Sequence, residues 1–351
     1  MYKLIKEGSA KIFVPKEEKI SKKLPVFYNP AMKLNRDITM LLLQQFPSLS
    51  ICDPLAASGV RSIRFAKELK YKSIVANDMS KKAFALIKKN MKLNKAHFRV
   101  KNQDANILLL ESKGFDFIEL DVFGSPNFIL DSAIKRISRQ GILAVTATDT
   151  AALTGTYPKA TLRKYWAMPK KDAMMHETGL RILIRKIQLI GAQYEKALIP
   201  VFSYFKEHYF RVFLKCAKGK KEVDKIIKMH GMLGKVGPLW LGSLFDSKLA
   251  GKMYNKLIKN NSSKNTKGTN ENKELIKFLK IIKDESKIDA AGFYDIHDIV
   301  KKEGIKDIMK KAELIKEVKK NNFKISGTHF SDTGIRSDIP YKELLRILKK
   351  R

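Results

Sequence analysis

Six consecutive residues, Asp121-Val122-Phe123-Gly124-Ser125-Pro126, combine a carboxylate, an aromatic ring and a tight Gly-Ser-Pro turn. They follow residues 115–120, an apolar, β-branched and aromatic run entered through Gly114, which predicts a buried strand. The acid and the ring therefore stand at the carboxyl end of a sheet strand, the edge where open α/β sheets bind ligands. An acid beside a ring can hold a flat base by stacking while accepting hydrogens from its exocyclic amine. On its own the hexapeptide equally suits an Asp that caps the next turn and a Phe in the core.

Upstream, Asp53-Pro54-Leu55-Ala56-Ala57-Ser58-Gly59-Val60-Arg61 ends another predicted strand. A turn of small residues lets backbone approach a ligand at a helix N-terminus. Asp78 closes the next strand 19 residues beyond Gly59, where an acid binds ribose hydroxyls in such folds. Asp104, after the third strand, is placed to meet an adenine amine. The chain has no G-x-G-x-x-G at this turn and no Walker sequence, so nothing is shaped to cradle a pyrophosphate. S-adenosylmethionine carries ribose and adenine without phosphate, and the pattern favours it over a nicotinamide.

The elements that must position these groups alternate. Strand-like runs at 49–52, 73–76, 98–100, 115–120 and 141–148 are separated by helical patterns such as 60–69 and 81–93. This predicts an α/β, doubly wound parallel sheet. A long amphipathic helix over 172–194 follows, then strand-like runs at 197–204 and 209–216. A terminal β-hairpin on a Rossmann-like sheet separates methyltransferases from most dehydrogenases. Beyond a short basic helix at 220–228, residues 260–268 predict a polar loop. Helices near 276–283, 296–302 and 305–320 lead to a strand at 323–325, an order resembling a winged helix. The expected division is a methyltransferase domain over 1–218, with an N-terminal extension, and a smaller α+β, winged-helix-like domain over 219–351.

The 351 residues carry 70 Lys and Arg against 35 Asp and Glu, a formal charge of +35. A polyanion such as RNA answers that excess, because each neutralised phosphate releases counterions. Coding bias toward lysine produces the same composition without a binding site. No apolar run reaches membrane-spanning length, and the N-terminus lacks the apolar stretch of a secretory signal. Two distant cysteines, Cys52 and Cys216, form no zinc ligand set, so no metal is expected and the location is expected to be cytoplasmic.

Motifs outside these elements are similar to those of the tRNA guanine-26 dimethyltransferases, which methylate the 2-amino group of guanine. Phe27-Tyr28-Asn29-Pro30-Ala31-Met32-Lys33-Leu34-Asn35-Arg36-Asp37 and the hexapeptide at 121 match that family. So do residues 146–153, 155–158, Arg163-Lys164-Tyr165, 176–181, 237–242 and 328–336, in order along the chain. The resemblance implies that Arg36, Arg61, Asp78, Asp104 and Ala105 contact S-adenosylmethionine. It further implies that Asp121 is catalytic, that Phe27 and Phe123 sandwich the target guanine, and that the partner is tRNA. Val122 stands where the family usually has proline, losing a fixed φ while keeping the carbonyl. The four-cysteine zinc cluster of many relatives cannot form here. Arg163, Lys164 and Arg181 are expected at RNA phosphates, Arg336 and the Lys-rich helices around 305–320 in the second domain's grip on the tRNA body, and His176 and Glu177 in structural hydrogen bonds. Two other functions fit parts of the pattern: amine methylation of another nucleic-acid base, and RNA binding by a fold that has lost catalysis.

Overall fold

The computed structural model describes residues 2–16, 24, 26–262, 270–306 and 309–349. Its main sheet has seven strands, here numbered β1 (Leu49–Asp53), β2 (Tyr71–Asn77), β3 (Arg99–Lys101), β4 (Phe115–Asp121), β5 (Ile137–Ala147), β6 (Lys196–Lys206) and β7 (Tyr209–Lys218). Their order across the sheet is 3-2-1-4-5-7-6. Strands β1 to β5 pair in parallel. The order reverses between β1 and β4, which puts the ends of those two strands, Asp53 and Asp121, at the topological switch point. This is the sheet that the alternating pattern predicts, including the final β6–β7 pair.

Local chemistry explains the helix starts beside that edge. Gly59 enters the helix Val60–Glu68 at φ 76°, and a Cβ there would stand 3.2 Å from Ile87. The glycine thus serves the left-handed turn and close helix packing. Ser80 caps the helix Lys81–Leu93 by accepting from Ala83 N, and Asp104 caps Ala105–Glu111 by accepting from Asn106 N and Ile107 N.

An N-terminal hairpin, Tyr2–Glu7 with Ala10–Pro15, precedes the sheet. Asn90 on the helix Lys81–Leu93, and Asn94, which caps that helix's C-terminus, bond the outer edge of the hairpin. Asn90 exchanges bonds with Phe13 N and O, and Asn94 with Lys11 N and O. Two side-chain amides thus satisfy backbone groups that would otherwise form an exposed strand edge.

The chain divides into two compact units that interleave in sequence. One comprises Met1–Thr148, Ile187–Ile199 and Phe213–Asp224; the other comprises Asp149–Lys186, Pro200–Val212 and Lys225–Arg351. The division expected from sequence has a single boundary, after residue 218. Within the second unit, Tyr294–Asp295, Gly334–Ser337 and Ile325–Gly327 form a three-stranded antiparallel sheet. The helices Ile296–Glu303, Lys311–Lys320 and Tyr341–Leu348 share one apolar core with it, including Ile299, Leu314, Val318, Ile335 and Leu344. The helix Ser247–Ser262 takes up the start of the expected polar loop, and 263–269 lie outside the described residues.

Candidate active site

Asp121 is the last residue of β4, and its partner comes from the helix that follows β1. Arg61 Nη2 donates to Asp121 Oδ2 at 2.6 Å and Nε to the same oxygen at 3.1 Å. Nη2 also donates to Asn35 Oδ1 at 2.8 Å, and Nη1 lies 4.0 Å from Glu119 Oε2. Nη1 itself is a buried donor without a hydrogen-bond partner. Burial opposes the charge on Arg61, but Asp121 and Glu119 more than offset it and hold the guanidinium protonated. Asp53, at the end of β1, accepts from Ser62 Oγ at 2.7 Å. Burial pushes Asp53 up to about 7 against that hydrogen bond; Glu119 and Asp121 add repulsion, and Arg61 pulls the other way. Three acids therefore surround one arginine at the switch point.

A cavity of about 470 Å³ opens beside this group, within the range of small-molecule sites. Its lining includes Phe27, Arg36, Arg61, Asp78, Asp121 and Phe123, which bring six of the eight sequence candidates to one site. Asp78 accepts from Ala57 N and from Ser80 N, each at 2.9 Å, so both carboxylate oxygens are oriented by the loops on either side. Asp104 and Ala105 do not line the cavity: Asp104 is exposed and spends one oxygen on its helix cap. Their loop is nonetheless fixed to the Asp78 loop. Asn102 donates to the carbonyls of Asp78 and Met79, and Asn77 donates to those of Pro54 and Gln103.

Arg36 lines the cavity, but its two-pronged bond goes to a residue that sequence does not single out. Nε and Nη2 donate to the two oxygens of Glu7 at 2.6 and 2.7 Å, and Nη2 also reaches Asn29 O at 3.1 Å. Burial would raise Glu7, but Arg36 and Arg64 prevail and hold its carboxyl at about 2. Glu7, Asn35 and Glu119 are thus site residues missed from sequence. Of these, Glu119 had a local signal, an acid inside an apolar strand, and Asn35 stood within the family-like segment 27–37.

Phe27 and Phe123 meet, but not face to face across a slot. Their centroids are 4.2 Å apart with ring planes at 79°, which is edge-to-face packing. A base between them requires one ring to swing aside. Phe123 is 43 % exposed and precedes Gly124, whose φ of 75° and open surroundings mark the turn. Thr148 anchors that turn: its hydroxyl accepts from Gly124 N, and its amide donates to Gly124 O.

Two other expectations need correcting. Arg181 and Arg336 are 1 % and 2 % exposed, and neither faces RNA. Both bind Glu177: Arg181 Nε at 2.9 Å and Arg336 Nη2 at 2.8 Å. Arg336 also reaches Glu285, and Arg181 holds the carbonyls of Trp240 and Gly242. The structural role expected of Glu177 is present, with two of the supposed RNA contacts as its partners. Arg163 and Lys164 are exposed. Among the described residues no group of three or more His, Cys, Asp or Glu is arranged to hold a metal ion, and no helix is long and apolar enough to cross a membrane.

The model of the N2,N2-dimethylguanosine tRNA methyltransferase family matches residues 8–235 and 231–349. The chain belongs to this family. Among N2,N2-dimethylguanosine tRNA methyltransferases and their relatives, a Pyrococcus furiosus protein named tRNA (guanine(26)-N(2))-dimethyltransferase is 37% identical over 383 residues, covering 99% of this chain and 98% of that one. An Aquifex aeolicus protein named tRNA (guanine(26)-N(2)/guanine(27)-N(2))-dimethyltransferase is 34% identical, covering 99% and 96%. A solved structure described as a complex of Trm1 from Pyrococcus horikoshii with S-adenosyl-L-methionine superposes with a TM-score of 0.88 at 35% identity, covering 98% of both chains.

Proposed function

We propose that this dimethyltransferase-family enzyme moves methyl groups from S-adenosylmethionine to the exocyclic 2-amino group of guanine 26 in tRNA. One observation supports this most directly: Asp121, Asp78 and the Phe27–Phe123 pair line the same cavity, and the turn after β1 carries no G-x-G-x-x-G sequence. Residues of that cavity suit the cofactor. Asp78 is oriented toward a ribose diol by its two backbone donors, and the buried Nη1 of Arg61 is a donor in want of an acceptor such as a carboxylate. Arg36, held by its ion pair with Glu7, places a fixed guanidinium edge on the same wall. When bound, S-adenosylmethionine supplies an electrophilic methyl group on a positive sulfonium.

The rest is the work of the chain. The guanine amine is a weak nucleophile because its lone pair is delocalised into the ring. Asp121 accepts one N–H hydrogen bond, which turns the lone pair out of conjugation. It takes the proton when the amine gains the methyl carbon that the sulfonium gives up in becoming a neutral thioether. Arg61 fixes the carboxylate that does this, so little reorganisation remains at the moment of reaction. Phe27 and Phe123 compensate the stacking that the base loses on leaving the tRNA helix. A second methyl transfer needs the monomethylated amine to present its remaining hydrogen to Asp121. We assign methyl transfer to the residues before 218 and the grip on the tRNA body chiefly to those after, in the cytoplasm.

Incubating the protein with labelled S-adenosylmethionine and an unmodified tRNA transcript tests this. Mono- and dimethylguanosine should form at position 26 and vanish when guanine 26 is replaced by adenine. Methyl incorporation into DNA, or none into tRNA, would overturn the proposal.

A further inference from the structure

Trp166 occupies a position that favours glycine. It ends the helix Pro158–Tyr165 with φ 56° and ψ 41°, the left-handed conformation in which helices usually stop on glycine. A bulky aromatic residue in that conformation is a backbone outlier. Such outliers persist where the surroundings over-determine them, and they cluster at functional sites.

The surroundings here are cations. Lys186 is buried, and its Nζ lies 2.9 Å from the centroid of the indole ring. Arg185 Nη1 donates to the Trp166 carbonyl at 3.2 Å. Burial lowers Lys186 to about 8, so it remains charged at neutral pH. A cation against one face of an indole fixes the ring by attraction to its π electrons. The ring nevertheless stays 46 % exposed. Hydrophobic packing does not account for this arrangement, because the strained side chain is held half in water. Arg163 and Lys164 stand exposed on the last turn of the same helix.

An occupant must be flat on one side and anionic around it. The cations and the formal charge of +35 oppose a second copy of this chain. An unpaired nucleotide meets both demands, since any base can stack on an aromatic face while its phosphates meet Arg and Lys. Resting on tRNA as the substrate, we propose that Trp166 is a stacking platform for an unpaired nucleotide of the tRNA outside the methyl-transfer cavity. Lys186 holds the ring from behind, and Arg163 and Arg185 meet the adjoining phosphates.

The test exploits the strain. The chain has two tryptophans, and the other, Trp240, is 6 % exposed with its Nε1 bonded to Ser243 O. Titrating the full-length protein with unmodified tRNA transcript should quench the emission of the exposed indole. Trp166→Phe should abolish that quench yet keep tRNA affinity within a few-fold of wild type. Trp166→Gly relieves the left-handed strain, so its thermal stability should hold or rise while its Kd and KM for tRNA increase on the order of 10-fold and its affinity for S-adenosylmethionine is unchanged. Unaltered tRNA affinity in Trp166→Gly, or a quench that persists in Trp166→Phe, would overturn the platform. So would a parallel loss of stability and cofactor affinity in Trp166→Gly, which would mark a structural role, or a change in sedimentation without a change in tRNA binding. Wild-type methylation of tRNA, measured alongside, tests the substrate separately.

Discussion

Arg61 gives two of its N–H groups to a single oxygen of Asp121, Nη2 at 2.6 Å and Nε at 3.1 Å. The pair joins the helix after β1 to the end of β4 across the switch point of the sheet. It orients the carboxylate. In the proposed reaction that placement is what an amine needs when it loses its proton only as the new bond forms.

Asp121→Asn keeps an oxygen for Arg61 but cannot take the proton. Single-turnover methylation of tRNA should slow by about 10² to 10⁴, the range of general-base assistance. Affinity for S-adenosylmethionine by titration calorimetry should stay within a few-fold. A variant within tenfold of wild-type rate would remove Asp121 from the role of base.

Phe123→Ala removes one face of the proposed base pocket and the edge-to-face contact with Phe27. Stacking of about 1–3 kcal/mol per base is lost, so methylation of tRNA should collapse while cofactor binding holds. Because Phe123 is 43 % exposed, its removal should leave the melting temperature nearly unchanged. A large fall in stability would instead make Phe123 part of the core.

How far such residues are legible in sequence depends on the range over which their partners act. Residues 115–120 announce β4 because Phe115, Phe117, Ile118 and Leu120 supply the apolar bulk that a strand buried on both faces needs, and Asp121 is conspicuous where the strand stops. Glu7 is invisible among lysines. Its partners Arg36 and Arg64 are distant in sequence, and nothing local distinguishes a buried acid from a solvated one. The hairpin at the N-terminus fails to show for the same reason, since its backbone bonds go to Asn90 and Asn94. Arg181 and Arg336 illustrate the converse error. A basic chain invites every arginine to be assigned to RNA, although these two neutralise Glu177 inside the fold.

Asp53 gives a pH dependence of definite sign. Its folded value of about 7 lies above the ordinary 3.8. Below pH 3.8 the carboxyl keeps its proton folded or unfolded. As pH rises toward 7 the unfolded chain has released that proton and the folded chain has not, so stability is lost until the folded group also ionises. Asp53→Asn does not titrate. Denaturant unfolding should show the variant gaining on wild type between pH 4 and 7, at ~1.4 kcal/mol per pH unit at most, with a level difference above. A constant difference across that range would mean Asp53 is ionised in the fold.

Arg336 and Arg163 separate a structural arginine from a phosphate contact. Arg336→Met leaves Glu177 and Glu285 with one fewer cation in a buried network, and removing one partner of such a group costs roughly 3–5 kcal/mol. Burial would raise the Glu177 carboxyl, yet Arg336 and Arg181 hold it at about 2, so this contribution is present above its ordinary value of 4.5 and lost as pH falls toward 2. The variant should accordingly unfold at lower denaturant at pH 7, with the gap from wild type narrowing in acid. Its salt dependence of tRNA binding, measured below its unfolding range, should match wild type, because a buried guanidinium releases no counterion. Arg163→Gln should do the opposite: leave stability unchanged and flatten the logarithmic salt slope by about 1, the signature of one phosphate contact. Equal slopes for all three proteins would place the tRNA backbone away from the helix Pro158–Tyr165.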